Sequence, residues 1–411
     1  MNVRRSAAAL AAVGVLAAAA PATAAGASPS PSPKVTLPAG LFGTSDPTYD
    51  GVWRQSLALL AQRTLGERPA ASAVDWLVGQ QCPDGGFAAF RAAPAGPCGG
   101  KGGSADTNST AAAVQALQAL GEHDGEVRKA ATWLKTAQNK DGGWGYTPGS
   151  PSDTNSTAVV IGALTAAGKD TTRLRTEGRT PYEALAQWSI PCDQDGGGAF
   201  AYQPDKKGKL AANADASAAG VLGALGKGFV TTAGKAPAKT GCVTAEKPTP
   251  AQLADNAAAY LSGAVAKSGY LKSALPGAAD QPDYGNTADT VVALAAAGRT
   301  GQAEKSYTWL EKNATGWARQ NGPAAYAQLI LAAHATGADP RHFGGTDLVR
   351  ALDATGPAPQ RAGATATAGH GNEKRSEHDS GTSVWWIVGV GLVAGIGVGF
   401  LLSGRRKKQQ P

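Results

Sequence analysis

An all-α body, closed into a ring of six helix pairs, is the fold that the sequence predicts on three observations. From Tyr49 to about Leu352, Ala/Leu-rich segments alternate with Gly/Pro/Asp-rich connections, with no period-two pattern of the kind strands require. One set of segments begins near Trp53, Asn108, Asn155, Asn213, Asn286 and Pro323, and its members stop at Gly66, Gly121, Gly168, Gly226, Gly298 and Gly337. A second set follows each of these through Trp76-Leu77, Trp133-Leu134, Trp188, Tyr260-Leu261, Trp309-Leu310 and Leu348 to Leu352. The aromatic-plus-Leu marker on every second helix suits two concentric rings. The Ala- and Gly-rich first set is then the inner one, and the alternative is an open stack of helix pairs.

In chain order, Arg4 and Arg5 precede an apolar run from Ala7 to Ala20 and an Ala22-Thr23-Ala24 cleavage-like triplet, so residues 1–27 are expected to be a signal peptide. Residues 28–48 form a Ser/Pro-rich linker, 49–353 the helical body, and 354–383 an Ala/Gly/Thr/Pro-rich, then charged, tether. Residues 384–402 are uncharged and apolar, with Trp385 and Trp386 at one end, and the tail 403–411 carries Arg405, Arg406, Lys407 and Lys408. That pattern predicts one C-terminal transmembrane helix, with the body outside the cell membrane and the C-terminus in the cytoplasm.

The net charge of +7 argues for nucleic acid only if it is clustered on the body. Six of the basic residues lie in the signal segment and the tail, which leaves the exported part close to neutral. No nucleic-acid partner is expected; the expected partner is the membrane itself, through one helix. Cys82, Cys98, Cys192 and Cys242 all fall in the exported part and are expected to form disulfides. Of three possible pairings, the sequential one, Cys82 with Cys98 and Cys192 with Cys242, closes two local loops.

The clearest repeat runs from Lys129 to Gly168. Its Lys129-Ala130, Trp133-Leu134, Gln138 and Gly142-Gly143-Trp144 resemble the QW motif of squalene and oxidosqualene cyclases and, more loosely, of protein prenyltransferase β subunits. Weaker copies run through Ala73, Trp76-Leu77, Gln81 and Gly85-Gly86-Phe87 and from Trp188 to Phe200, with remnants at Gly269-Tyr270 and Gly316-Trp317. The resemblance covers about three quarters of the chain and implies an (α/α)6 toroid. It speaks to fold more than to activity.

A cyclase of that family needs a D-x-D-D-type acid, whereas Asp193-Gln194-Asp195-Gly196 lacks the last Asp and occupies the repeat's turn. A prenyltransferase needs zinc, and Cys192-Asp193 with His123, His334 and His342 shows no ligand spacing. No catalytic residue, metal ligand or cofactor is therefore assigned, and the balance leans against an enzyme. What remains is a polar collar at the inner-helix starts, where counting back fifteen residues from the stops at Gly121, Gly168 and Gly298 gives Asp106, Asp153 and Asp283 as candidate caps, and the same count from Gly226 sets the register of Asn213 and Asp215. Asn108, Asn155, Asn213, Thr157 and Asp215 follow them, with the aromatic Tyr146, Tyr202 and Tyr284 alongside. These eight are the expected ligand-binding residues, because flat rings stack while the collar bonds amides or hydroxyls.

Ser104 to Thr107 and Thr287 to Leu294 resemble a signature of the intrinsic factor and transcobalamin group, which implies a corrinoid ligand. The leading expectation is thus a membrane-anchored, non-catalytic binder of a large amphipathic, corrinoid-like molecule. A vitamin importer or a second domain would close its open face. The alternatives are a terpene cyclase or prenyltransferase relative acting on an isoprenoid, and a cell-envelope interaction module.

Overall fold

A computed structural model describes residues 37–99, 103–274 and 280–360. The expected signal peptide, transmembrane helix 384–402 and tail lie outside these residues. Among the described residues no helix is long and apolar enough to cross a membrane. Helices α1 (Gly51–Thr64) and α2 (Ala71–Gly79), α3 (Thr107–Leu120) and α4 (Asp124–Thr136), and α5 (Thr154–Ala166) and α6 (Pro181–Gln187) form the first three pairs. The others are α7 (Ala214–Ala224) with α8 (Pro250–Val265), α9 (Tyr284–Ala296) with α10 (Thr300–Asn313), and α12 (Pro323–Thr336) with α13 (Leu348–Asp353), with α11 (Thr315–Asn321) an extra turn before α12.

The first members pack in the order α1, α3, α5, α7, α9, α12, and α12 returns to α1, which makes a closed inner ring. The fold is the α–α toroid, not an open stack. Each second member lies outside its partner and buries a leucine, as at Leu77, Leu134, Leu185, Leu261, Leu310 and Leu352. Five of the six inner helices stop alike: at Gly168, for example, the Lys169 amide reaches Leu164 O and the Gly168 amide reaches Thr165 O. That closure needs a positive φ, here 70°, which glycine adopts without steric penalty.

One lock recurs around the ring and fixes each connection to the next inner helix. The backbone amides of Phe87, Trp144, Phe200 and Leu271 donate to the hydroxyls of Thr110, Thr157, Ser217 and Thr287, at 2.8, 3.0, 2.9 and 3.0 Å. In two repeats the same segments extend into two-residue antiparallel pairs, β1 (Phe87–Ala88) with β2 (Ala105–Asp106) and β3 (Leu271–Lys272) with β4 (Pro282–Asp283). Trp144 is fully buried and its indole donates to Leu134 O at 2.7 Å. It therefore ties the connection to α4 before it and to α5 after it.

Small residues serve the ring in a way the sequence does not reveal. Gly223 of α7 packs against the backbone of Ala158 on α5, and Gly220 faces the ring of Phe200, so these glycines permit close contact between helices, not access to the axis. A Cβ at Gly220 would collide with that ring. The Gly220→Ala variant is expected to lose about 1–3 kcal/mol in denaturant unfolding, despite the higher helix propensity of alanine. The disulfides are Cys82–Cys98 and Cys192–Cys242, the sequential pairing, and among the described residues no cysteine is free.

The end of the ring beneath the inner-helix C-termini is crossed by the connection from α7 to α8. Lys227 O approaches Gly162 of α5, the Phe229 amide donates to Gln115 Oε1 of α3 at 2.9 Å, and the Gly234 amide donates to Ala295 O of α9 at 2.8 Å. Phe229 meets Trp53 of α1 edge to face, with ring centroids 5.3 Å apart. α7 and α1 stand on opposite sides of the ring, and Trp53 is the third residue of α1, so this aromatic pair forms a floor across the axis within the ring and not at its end.

Candidate functional site at the inner-helix starts

Each inner helix from α3 to α9 opens with a cap. Asp106, Asp153 and Asp283 accept the amides of Ser109, Ser156 and Asn286 at 2.7, 2.7 and 3.0 Å, and Asn213 accepts that of Ala216 at 2.8 Å. Taking these caps as the common origin places Asn108, Asn155 and Asp215 at one register, two residues in. Thr110, Thr157, Ser217 and Thr287 fall at the next, four residues in. The expected assignment of α7 is therefore corrected by two positions. From cap to stop α7 is two residues shorter than α3, α5 and α9, so counting back from Gly226 overshoots, and Asn213 is the cap itself.

Thr157 is likewise removed from the collar, because its hydroxyl is engaged by the Trp144 backbone. Asn155 and Asp215 do come together: Asn155 Nδ2 donates to Asp215 Oδ2 at 2.7 Å across the α5–α7 contact. Asn108 is buried in the same register on α3, and neither its Oδ1 nor its Nδ2 has a partner; Asn155 Oδ1 has none either. Tyr146 and Tyr202 are half-buried beside Asp106 and Asp153, and burial with those neighbouring carboxyls raises both phenols. Tyr284 is stacked between Trp309 and Trp317, at 5.4 and 5.8 Å between ring centroids.

One turn deeper lie two residues absent from the expected set. Asp289 of α9 and Gln328 of α12 each sit six residues beyond their caps, and Gln328 Nε2 lies 3.3 Å from both carboxylate oxygens of Asp289. Asp215 and Asp289 are enclosed by protein yet retain part of their accessible surface, so they face a recess between the helices. Burial pushes each of them up to about 7. Asp283 and Asp153 raise Asp215 further and Asp215 raises Asp289, while the bonds from Asn155 and Gln328 oppose the shift. An ionised Asp215 thus opposes ionisation of Asp289.

Asp289 carries a sequence signal of its own. It is the one charge in the otherwise neutral stretch from Tyr284 to Ala297 and lies one helical turn past the collar. Trp53 and Phe229, the floor, carry none, since only the path of the α7–α8 connection brings them together. Among the described residues no group of three or more His, Cys, Asp or Glu side chains is placed to hold a metal ion. The recess offers a carboxyl–carboxylate pair, amides, and aromatic faces: a proton donor and acceptor beside surfaces that suit an apolar or transiently cationic chain.

Residues 47–211 match the family model of the prenyltransferase alpha-alpha toroid domain. No curated protein matches. Among solved structures, ent-copalyl diphosphate synthase from Streptomyces platensis is similar at 17% identity and a TM-score of 0.46, over 70% of this chain and 51% of that one. This chain thus spans about half the length of that enzyme. The type II terpene cyclase MstE from Scytonema is similar at 17% identity and a TM-score of 0.40, over 70% of this chain and 74% of that one. A protein from Actinoplanes is similar at 16% identity and a TM-score of 0.32, over 68% and 98%.

The family match bears out the resemblance carried by the QW-like repeats. It also corrects the leading functional expectation. The matched domain is that of prenyltransferases, which favours the isoprenoid alternative over a non-catalytic binder of a corrinoid-like molecule.

Proposed function

From a chain whose residues 47–211 carry the prenyltransferase alpha-alpha toroid sequence, we propose an enzyme of terpene cyclase type that rearranges an isoprenoid by proton transfer. The placement of Asp215 and Asp289 on the neighbouring inner helices α7 and α9, both only partly buried, is the observation that carries it. Asp289, held only by two long contacts from Gln328, is the proton carrier. Asp215, held at 2.7 Å by Asn155, is the carboxylate.

In this scheme the Asp289 proton passes to an olefinic carbon, the π bond breaks, and a tertiary cation forms. The next double bond closes a ring onto that cation, and a proton is finally returned to a carboxylate. Substrate and product are isomers and no oxidant is consumed. A desolvated carboxyl near 7 is a weak acid for this step, so most of the work falls to stabilising the cation. The Asp215 charge acts at low dielectric, and Trp53 and Trp317 are the aromatics proposed to line the chain's path. Location outside the cell, on a C-terminal membrane anchor, belongs to the same proposal and would bring the recess to lipid-borne isoprenoids.

The test is incubation of the full-length protein in D2O with squalene, geranylgeraniol and geranylgeranyl diphosphate. The expected product is an isomer carrying one deuteron from solvent, with turnover reduced about 10²–10⁴-fold in Asp289→Asn. Failure of the unsubstituted protein to convert any of the three would sink the proposal.

A further inference from the structure

Resting on the reading of this recess as an isoprenoid site, we propose that it selects an uncharged, hydroxyl-bearing isoprenoid and rejects the corresponding diphosphate. The observation behind this is the pattern of unpaired polar atoms at the collar. Asn155 gives its Nδ2 to a carboxylate that can only accept when ionised, which fixes its Oδ1 as a free acceptor. Asn108, only 2% exposed, adds one further acceptor and one donor, whichever way its amide is turned. Buried amide atoms of this kind are costly to leave unmade.

The collar therefore offers two acceptors and one donor to whatever occupies it. A hydroxyl, which both donates and accepts, can use either kind. A diphosphate accepts only; it could use Asn108 Nδ2 alone and would leave two carbonyl oxygens facing its own anionic oxygens. Charge works in the same direction. The charged groups that act on Asp215 are Asp283 and Asp153, and those on Asp289 are Asp215 and Asp283, all of them carboxyls. Among the described residues, an incoming diphosphate therefore meets carboxylates at the collar, and buried charges are screened little.

The experiment uses the full-length protein at pH 8 and follows tryptophan fluorescence as geranylgeraniol, geranylgeranyl diphosphate or squalene is added. Geranylgeraniol is expected to bind at least tenfold more tightly than the diphosphate. Asn108→Leu should weaken geranylgeraniol at least fivefold while leaving squalene unchanged, because Leu matches Asn in shape and removes only the polar atoms. Asn108→Ala serves if the Leu variant does not fold, as judged by its circular dichroism melt.

A diphosphate that binds as tightly as the alcohol overturns the inference, as does an Asn108 variant that folds and keeps its affinity for the alcohol. Selective binding of the alcohol without turnover defeats the proposed reaction and leaves this inference standing. Cyclisation of the diphosphate does the reverse. If none of the three ligands binds, both fall.

Discussion

The double variant Asp215→Asn, Asp289→Asn should unfold at higher denaturant concentration than the unsubstituted protein at pH 8, while having no measurable turnover. Asp106, Asp215 and Asp289 are raised to about 7 and Asp153 to about 6, each chiefly by burial. The folded chain holds these protons to higher pH than the unfolded chain, whose carboxyls titrate near 4. Unfolding therefore releases protons between about pH 4 and pH 7, and stability falls as pH rises through that window.

Above pH 7 the ionised pair costs the fold on the order of a few kcal/mol, discounted here for the solvent that reaches the recess. Asparagine at both positions removes that cost, so the gain should be full at pH 8 and close to absent near pH 4. Denaturant titrations at the two pH values measure it. A difference between the two proteins that is the same at both pH values would show that the pair is not desolvated in the folded state.

The second large effect concerns the floor. Opening Cys192–Cys242 by Cys192→Ser with Cys242→Ser frees a loop of 50 residues, for which chain entropy alone gives about 4 kcal/mol. Cys82–Cys98 closes 16 residues, for which the same relation gives about 3 kcal/mol. The difference should be larger in function than in stability. Cys242 lies on the connection that carries Phe229 across the axis, so its release is expected to loosen the floor and raise the exposure of Trp53. A red shift of tryptophan emission in the Cys192/Cys242 variant, and none in the Cys82/Cys98 variant, is the expected result.

Much of this architecture was legible in the sequence. The glycine stops mark the six inner helices and the leucine markers five of the outer ones, with Trp188 marking the end of α6, because a helix must end its hydrogen bonds and must bury one stripe, and both requirements leave residue types at fixed places. The locks at Trp144 and Thr157 were half legible: the aromatic was assigned to the scaffold, but the threonine was assigned to the ligand. A hydroxyl at a helix start serves either purpose, and only the Trp144 amide decides between them.

The collar failed at α7 because its register was counted from a C-terminal landmark. Helix length varies by two residues while the cap geometry does not, so Asn213 and Asp215 exchanged meanings. Asp289 was passed over as part of a short motif, although a carboxyl alone in an apolar inner helix is costly without a purpose. Phe229 lay beyond reach. Its position depends on a 23-residue connection from Lys227 to Thr249, whose path is fixed by contacts with α3, α5 and α9 and by no pattern of its own.

The return of α12 to α1 has a consequence for how the protein comes apart. Stacked helix pairs in a line lose their terminal members first, because an end pair has a single neighbour. Here every pair has two. The seam is sewn as well: the Gly43 amide donates to Thr355 O at 2.7 Å, and Arg68 bridges to Gln360. Fraying has nowhere to begin, and removal of any one pair would strip a neighbour from two others. Amide exchange in the six inner helices should accordingly converge on a single opening free energy instead of falling off toward α1 and α12.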